Sequence, residues 1–252
     1  MYRCIVSDLD GTLLTSEKKI LKETKDYIKK LQDKGILFIV ATGRYFESAR
    51  SFFDEKFYPD YLISNNGSYI YDCCKQKFIY KNVLDENVVT NILDISLQYS
   101  QDISLLGNDI YLQLRSGKEY VKDKLNMISG IAIHAKNKEC QKILVELISK
   151  KFPQLDVYIM KHSVIDAEWI EISPKLISKG IALKKVLDME KNNCKDAICF
   201  GDGANDISMF EVCGMSVAVA NAIDQLKKIA SGITDTNDNQ GLYRYLKNKS
   251  VK

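Results

Sequence analysis

The stretch IVSDLDGTLLTS, residues 5–16, sets the terms for the rest of the chain. An apolar run reaches Asp8; Asp10, Gly11 and Thr12 follow before the chain turns apolar again. The run predicts a buried strand, and the polar residues behind it predict a turn at its carboxyl end. Two carboxylates one residue apart at such a place repel each other and lose hydration. Positive charge has to come from elsewhere in the sequence.

Working outward, the first third alternates strand and helix. YRCIVSD, ILFIV and DYLIS read as strands, and residues 20–34 and YFESARSFF as helices. The alternation resumes near Lys179 with SKGIALKKVLDMEK (helix), DAICF (strand), NDISMFEVC (helix) and MSVAVA (strand), then helices near 222–230 and 238–248. Short apolar strands separated by amphipathic helices predict an α/β fold, a doubly wound parallel sheet of the Rossmann-like kind covered on both faces. Each strand runs into a polar cluster, at Asp8, Thr42, Ser64 and Asp202. Ligands of open parallel sheets bind beyond the carboxyl ends of the strands, so the four clusters predict one site.

Between these halves the pattern changes. ENVVTNILDISLQYS and KECQKILVELISKKF read as helices, and ISLLG, IYLQL, IAIHA, DVYIM and WIEIS as strands. This predicts an inserted α+β domain over 83–172, within a core made of 1–82 and 173–252. QKFIYKNV and EISPKLIS are the expected linkers.

The 252 residues are 46% hydrophobic and 27% charged, enough apolar material for a full core. A net charge of +3 without a basic block gives no footprint for nucleic acid. No run approaches the roughly 18 apolar residues of a membrane helix, and MYRCIVSDLD lacks the marks of a signal peptide. The seven cysteines follow no metal or disulfide spacing and read as reduced thiols, with Cys4, Cys199 and Cys213 in apolar stretches; a cytoplasmic protein is expected.

DLDGTLL after one strand, ATGR after the next, the lysine of SKG opening a helix, and GDGANDISM after a later strand together resemble the four motifs of the haloacid dehalogenase-like phosphohydrolases. The position of the insert resembles the type IIB cap of the Cof-like sugar phosphatases. The resemblance implies a Mg2+-dependent phosphoric monoester hydrolase acting on a small phosphorylated metabolite, a sugar phosphate foremost. It casts Asp8 as the nucleophile that forms an aspartyl-phosphate and Asp10 as general acid and base. The metal set it implies is Asp8, the Asp10 carbonyl, Asp202 and Asp206. Thr42 and Lys179 bind phosphate, with Asn205 orienting phosphate or lysine and the backbone of Leu9, Gly43 and Gly203 lending amides. Arg44 is open between a substrate oxygen and a salt bridge to the cap. Asn66 and Gly67 match the family's Asn-Gly at the third strand end, expected at the substrate entrance.

In this reading four aspartates and a phosphate dianion outweigh Mg2+ and one ammonium, even with Asp10 protonated. The site is therefore expected to be weak without metal, and Asp10 to titrate high in the loaded complex. Structural readings stand beside these roles: strand-end turns for Asp8 and Asp10, a helix N-cap for Thr42, a solvated Lys179, and a helix-terminal Asp206 favoured by the macrodipole. SPKLISKG departs from the family by placing Leu176 and Ile177 where a small residue is usual. In the insert, His134, His162, Trp169, Glu171 and Arg115 are candidates for leaving-group contacts, with cap core or loop roles as their alternatives. GNDIYLQLRSGKEY reads as a hairpin turn and a polar segment. Ten Lys or Arg against thirteen Asp or Glu over 83–172 suit a small substrate better than a large polyanion. Two rivals remain. One is a phosphomutase with the same motifs, which would return an isomer rather than free phosphate. The other is a non-catalytic binding protein that keeps the fold; the intact Asp8, Asp10, Lys179 and Asp202 set argues against it, since a binding protein has no need of a nucleophile.

Overall fold

Strands buried on both faces need mostly apolar side chains, and the central strands of the core sheet have them, with Ser7, Ser64 and Ser216 as buried polar exceptions. A computed structural model describes residues 2–108, 111–115, 122–161 and 168–249. The chain divides into two compact units, one of residues 1–81 with 178–252 and one of residues 82–177.

The first unit runs β1 (Cys4–Ser7), α1 (Lys22–Gln32), β2 (Leu37–Ala41), α2 (Phe46–Arg50), β3 (Tyr61–Ser64), β4 (Tyr69–Asp72) and β5 (Lys77–Lys81). In the second unit come α3 (Glu86–Ser96), β6 (Ser100–Gly107), β7 (Tyr111–Arg115), β8 (Ile128–Ala135), α4 (Lys138–Lys151), β9 (Leu155–Lys161) and β10 (Glu168–Pro174). The first unit then resumes with α5 (Lys179–Met189), β11 (Ala197–Gly201), α6 (Ile207–Val212), β12 (Met215–Ala218), α7 (Asp224–Ile229), β13 (Gly232–Ile233) and α8 (Gly241–Asn248).

The core sheet has the order β13-β12-β11-β1-β2-β3-β4-β5 and is parallel from β13 to β3. Alternation along β1 sends Ile5 to one face, with Phe38, Val40, Leu62 and Phe200, and Cys4 and Val6 to the other, with Leu183, Val186 and Met209. Each such aliphatic side chain, when fully buried, contributes about 1.5–3 kcal/mol. β1 lies centrally between β11 and β2, so Asp8 leaves the middle of the sheet.

Three expectations need correction. QKFIYKNV is not a linker over most of its length: Lys77–Lys81 is β5, paired antiparallel with β4, which pairs antiparallel with β3. Its signal is masked by a turn without glycine, in which Gln76 takes a φ of 51° and Asp72 accepts from the Lys75 amide at 2.8 Å. EISPKLIS also begins as strand, since β10 extends to Pro174. The helix expected over YFESARSFF is confined to Phe46–Arg50.

The second unit is an antiparallel sheet of order β7-β6-β8-β10-β9. Ile103, Leu105, Ile131, Ile133, Ile170 and Ile172 share a core with α3 and α4 residues including Ile92, Leu93, Leu144 and Ile148. Alternation puts Trp169 and Glu171 on the opposite sheet face. All seven cysteines are free thiols. Among the described residues no helix is long and apolar enough to cross a membrane.

Candidate active site

Asp8 follows β1 directly, and its amide donates to the Phe200 carbonyl of neighbouring β11 at 3.0 Å. A wide turn follows, closed by the Leu14 amide on the Leu9 carbonyl at 2.8 Å. Gly11 takes φ +72° at its centre, where a Cβ would stand 2.5 Å from an Asp202 oxygen. Left-handed geometry and the approach of a carboxylate both require glycine here. Leu9 sends its side chain into the core and is fully buried.

Lys179 answers the charge problem. It is the first residue of α5, whose N-cap Ser178 accepts from the Ile181 amide at 3.1 Å. Its ammonium is fully buried and donates to Asp8 Oδ1 at 2.6 Å and Asp206 Oδ1 at 2.7 Å. Burial favours the neutral amine, but Asp8 and Asp206 outweigh it and hold the group protonated, above its ordinary range. The unusual Leu176 takes φ 62° and points to solvent with 77% exposure, leaving the lysine in place.

Asp206 is buried, and its Oδ2 accepts from the amides of Asp202 and Gly203, each at 2.9 Å. Thr12, which carried no role in the sequence reading, donates to Asp202 Oδ1 at 3.1 Å. A lone threonine in GTLL gives little warning of this. Burial pushes the Asp8 carboxyl well up, Lys179 pulls it down, and Asp206 adds to the rise. Asp202 is also raised, by burial and then by Asp206. Two carboxylates thus share one ammonium, and a third, Asp202, stands close by. Oxygens of Asp8, Asp202 and Asp206 lie within 4.8 Å of one another. Asp8 keeps one oxygen clear of Lys179, and Asp202 is half-buried beside the cavity. Hard oxygens with unbalanced negative charge and room for water fit a small divalent cation.

Asp10 is held differently. Arg44 grips it as a fork, Nε to Oδ2 at 2.5 Å and Nη2 to Oδ1 at 2.7 Å, while Lys18 donates to Oδ1 at 2.7 Å. The Arg44 hydrogen bonds foremost, with help from Lys18, bring its carboxyl down to about 2. In this structure the Arg44 guanidinium is thus engaged by a carboxylate of its own unit. Its third nitrogen donates to Ser48 at 2.9 Å, and its plane lies 4.8 Å from the Phe52 ring centre. Planar forks match carboxylates well. Lys18, four residues beyond the DLDGTLL motif, was not legible as part of the site.

Thr42 is buried at the end of β2, and its hydroxyl accepts from the Arg44 amide at 3.1 Å. The N-cap of α2 is Tyr45, so Thr42 shapes the loop rather than capping the helix. Asn205 donates from Nδ2 to Asn66 Oδ1 at 3.0 Å. A cavity of about 400 Å³ is lined by Asp8, Asp10, Thr42, Gly43, Arg44, Asp202, Gly203 and Asn205. Lys179 and Asp206 lie buried against Asp8. A larger groove of about 720 Å³, between Glu47, Phe53, Tyr58 and Cys73, gathers none of these residues.

In the second unit His134 and Trp169 stack, ring centres 5.2 Å apart, and Tyr158 donates to Glu171 at 3.2 Å. Trp169 stands outside that unit's core cluster. Arg115 ends β7; His162 lies outside the described residues, as does part of the GNDIYLQLRSGKEY stretch.

Residues 5–246 match the sequence profile of the haloacid dehalogenase-like hydrolases. The chain belongs to this family. Within it, the 5-amino-6-(5-phospho-D-ribitylamino)uracil phosphatase YitU of Bacillus subtilis is 28% identical over 265 positions, covering 96% of each chain. Among solved structures, TM0651 from Thermotoga maritima superposes with a TM-score of 0.82 at 24% identity, covering 100% of this chain and 99% of that one. BT4131, described as a subclass IIB sugar phosphatase, has a TM-score of 0.75 at 18% identity, covering 99% and 100%. These two share the fold. The haloacid dehalogenase-like hydrolase is thus matched along nearly its whole length, both sheets included.

Proposed function

We propose that this hydrolase cleaves small phosphate monoesters, sugar phosphates foremost, through a covalent aspartyl-phosphate on Asp8. The observation that carries the reading is the buried Lys179 clamped between Asp8 and Asp206, beside a cavity that Asp10 and Arg44 also line. A carboxylate attacks a phosphate dianion only where fixed positive charge offsets the repulsion.

Mg2+ held by Asp8, Asp202 and the Asp10 carbonyl would neutralise charge on the phosphoryl oxygens. Asp206 supports that set from behind through Lys179 and the 202–203 amides. An Asp8 oxygen attacks phosphorus, the bond from phosphorus to the leaving oxygen breaks, and Asp10 supplies the proton that oxygen takes up. Asp10 then takes a proton from the water that attacks the aspartyl-phosphate, releasing inorganic phosphate and restoring Asp8. Before the first step Asp10 needs a proton, and the Arg44 fork opposes it. An incoming phosphate dianion competes for Arg44, which frees Asp10 to be protonated. Thr42 and Asn205 hold the remaining phosphoryl oxygens.

The unit of residues 82–177 is the proposed source of leaving-group selectivity, with the Trp169–His134 stack and Glu171 as its polar and aromatic surface. YitU, by its name, acts on a phosphorylated ribitylamino compound, which supports a polyhydroxylated leaving group. The test is phosphate release from an aryl phosphate and a sugar-phosphate panel, with Mg2+ and with chelator. Turnover only with Mg2+, and fastest on sugar phosphates, is expected. Release that persists in chelator, or an isomerised sugar phosphate without free phosphate, contradicts the proposal.

A further inference from the structure

Three successive residues, Asn65, Asn66 and Gly67, take left-handed backbone angles, with φ of 49°, 53° and 108°. Such a run is costly and persists only where surrounding bonds enforce it. The turn follows β3, and what it touches gives it a purpose. The Asn66 amide donates to the Thr42 carbonyl at 3.0 Å, and the Asn65 amide to the Arg44 carbonyl at 2.8 Å. The Asn66 side-chain oxygen accepts from Asn205 at 3.0 Å. It also lies so close to Gly43 that a Cβ there would meet it at 3.1 Å.

One strained residue therefore touches two loops that are separate in sequence, 42–44 and 203–205, and both line the cavity. We propose that Asn66 is a positioning residue for phosphate: its amide fixes the Thr42 loop, and its carboxamide aims Asn205 at the same phosphoryl group. Left-handed geometry lets backbone and side chain of a single residue reach both loops, and asparagine tolerates that geometry better than most side chains. Without the Asn66 oxygen, the Asn205 amide is free to rotate away from the phosphate, and its hydrogen bond there is lost. The inference rests on the phosphatase reading above and assigns a role to a residue outside its catalytic set.

The experiment titrates inorganic phosphate into the full chain at saturating Mg2+, for wild type, Asn66→Gly, Asn205→Ala and the double variant. Glycine keeps the left-handed backbone and its amide while deleting the carboxamide. Asn66→Gly is expected to weaken phosphate binding about tenfold, the cost of one charge-assisted hydrogen bond, and Asn205→Ala to do the same. The double variant should bind no more weakly than Asn205→Ala alone, because both deletions remove one interaction. Mg2+ affinity, measured separately, should not change, which a general loosening of the fold would not allow.

Asn66→Asp is the second variant. Its oxygen still accepts from Asn205, so adding Asn205→Ala should weaken phosphate binding further, although the new charge lowers affinity in both backgrounds. Wild-type phosphate affinity in Asn66→Gly, full additivity in its double variant, or a parallel loss of Mg2+ affinity overturns the role of Asn66 alone. Failure of the wild type to bind phosphate overturns the phosphatase reading, and this inference with it.

Discussion

Lys179 and Asp206 pair at 2.7 Å with neither side chain exposed, and the same ammonium reaches Asp8 at 2.6 Å. Burial works against the charge of this lysine, and the two carboxylates together outweigh it. The carboxylates in turn depend on the ammonium, so the nucleophile's environment is built as a unit.

Removing that ammonium leaves buried carboxylates uncompensated. Lys179→Met should cost about 3–5 kcal/mol of stability, the usual penalty for breaking a buried pair. Because a divalent cation offsets part of the exposed repulsion, the loss in melting temperature should be smaller in Mg2+ than in chelator. Equal losses in both would mean that the cation does not share the field of Asp8.

Mg2+ should itself stabilise the wild type. Binding to the folded state alone adds about 2.7 kcal/mol at a concentration 100 times the dissociation constant. Asp202→Asn should abolish most of the rise in melting temperature, since Asp202 is half-buried beside the cavity. Its carboxyl is raised by burial and then by Asp206, whose negative charge a cation would offset. A full rise in that variant contradicts the proposed ligand set.

Arg44 sets the charge state of Asp10. The Asp10 carboxyl lies at about 2 against an ordinary 3.8, so its folded value is depressed. The pair therefore stabilises fully above pH 4 or so and loses that contribution as pH falls through the folded value. Arg44→Gln should move the Asp10 carboxyl upward, short of or near its ordinary value because Lys18 remains, as read by carboxyl NMR. An unmoved titration would show that Lys18 or the backbone controls it.

Gly11→Ala tests how closely the turn wraps Asp202. A left-handed alanine costs about 1–2 kcal/mol, and its methyl carbon would sit 2.5 Å from an Asp202 oxygen. The variant should fold, bind Mg2+ more weakly and lose activity, measured by cation titration alongside thermal unfolding. Wild-type Mg2+ affinity would show that Asp202 has room to move without consequence.

Where side chains act through strand-end position, the sequence was legible. Asp8, Thr42 and Asp202 each stand at the carboxyl end of an apolar run, and the parallel sheet brings those ends to one cavity. The partners of Asp10 were not legible, because Arg44 and Lys18 choose it by side-chain geometry, which spacing does not encode. The β4–β5 hairpin was hidden by its turn, where Gln76 takes the left-handed position a glycine would have announced. Asn66 stood in plain view, but its reach to Thr42 and Asn205 depends on three successive left-handed residues.

If Asp8 is the nucleophile, it carries the phosphoryl group during turnover. Wild type and Asp8→Asn are mixed with an aryl phosphate and Mg2+, quenched in acid during turnover, and mapped by peptide mass while released phosphate is counted. The wild-type peptide containing Asp8 should carry a phosphoryl group, and Asp8→Asn should give neither phosphopeptide nor phosphate release. Phosphate release from Asp8→Asn at the wild-type rate would contradict that role of Asp8.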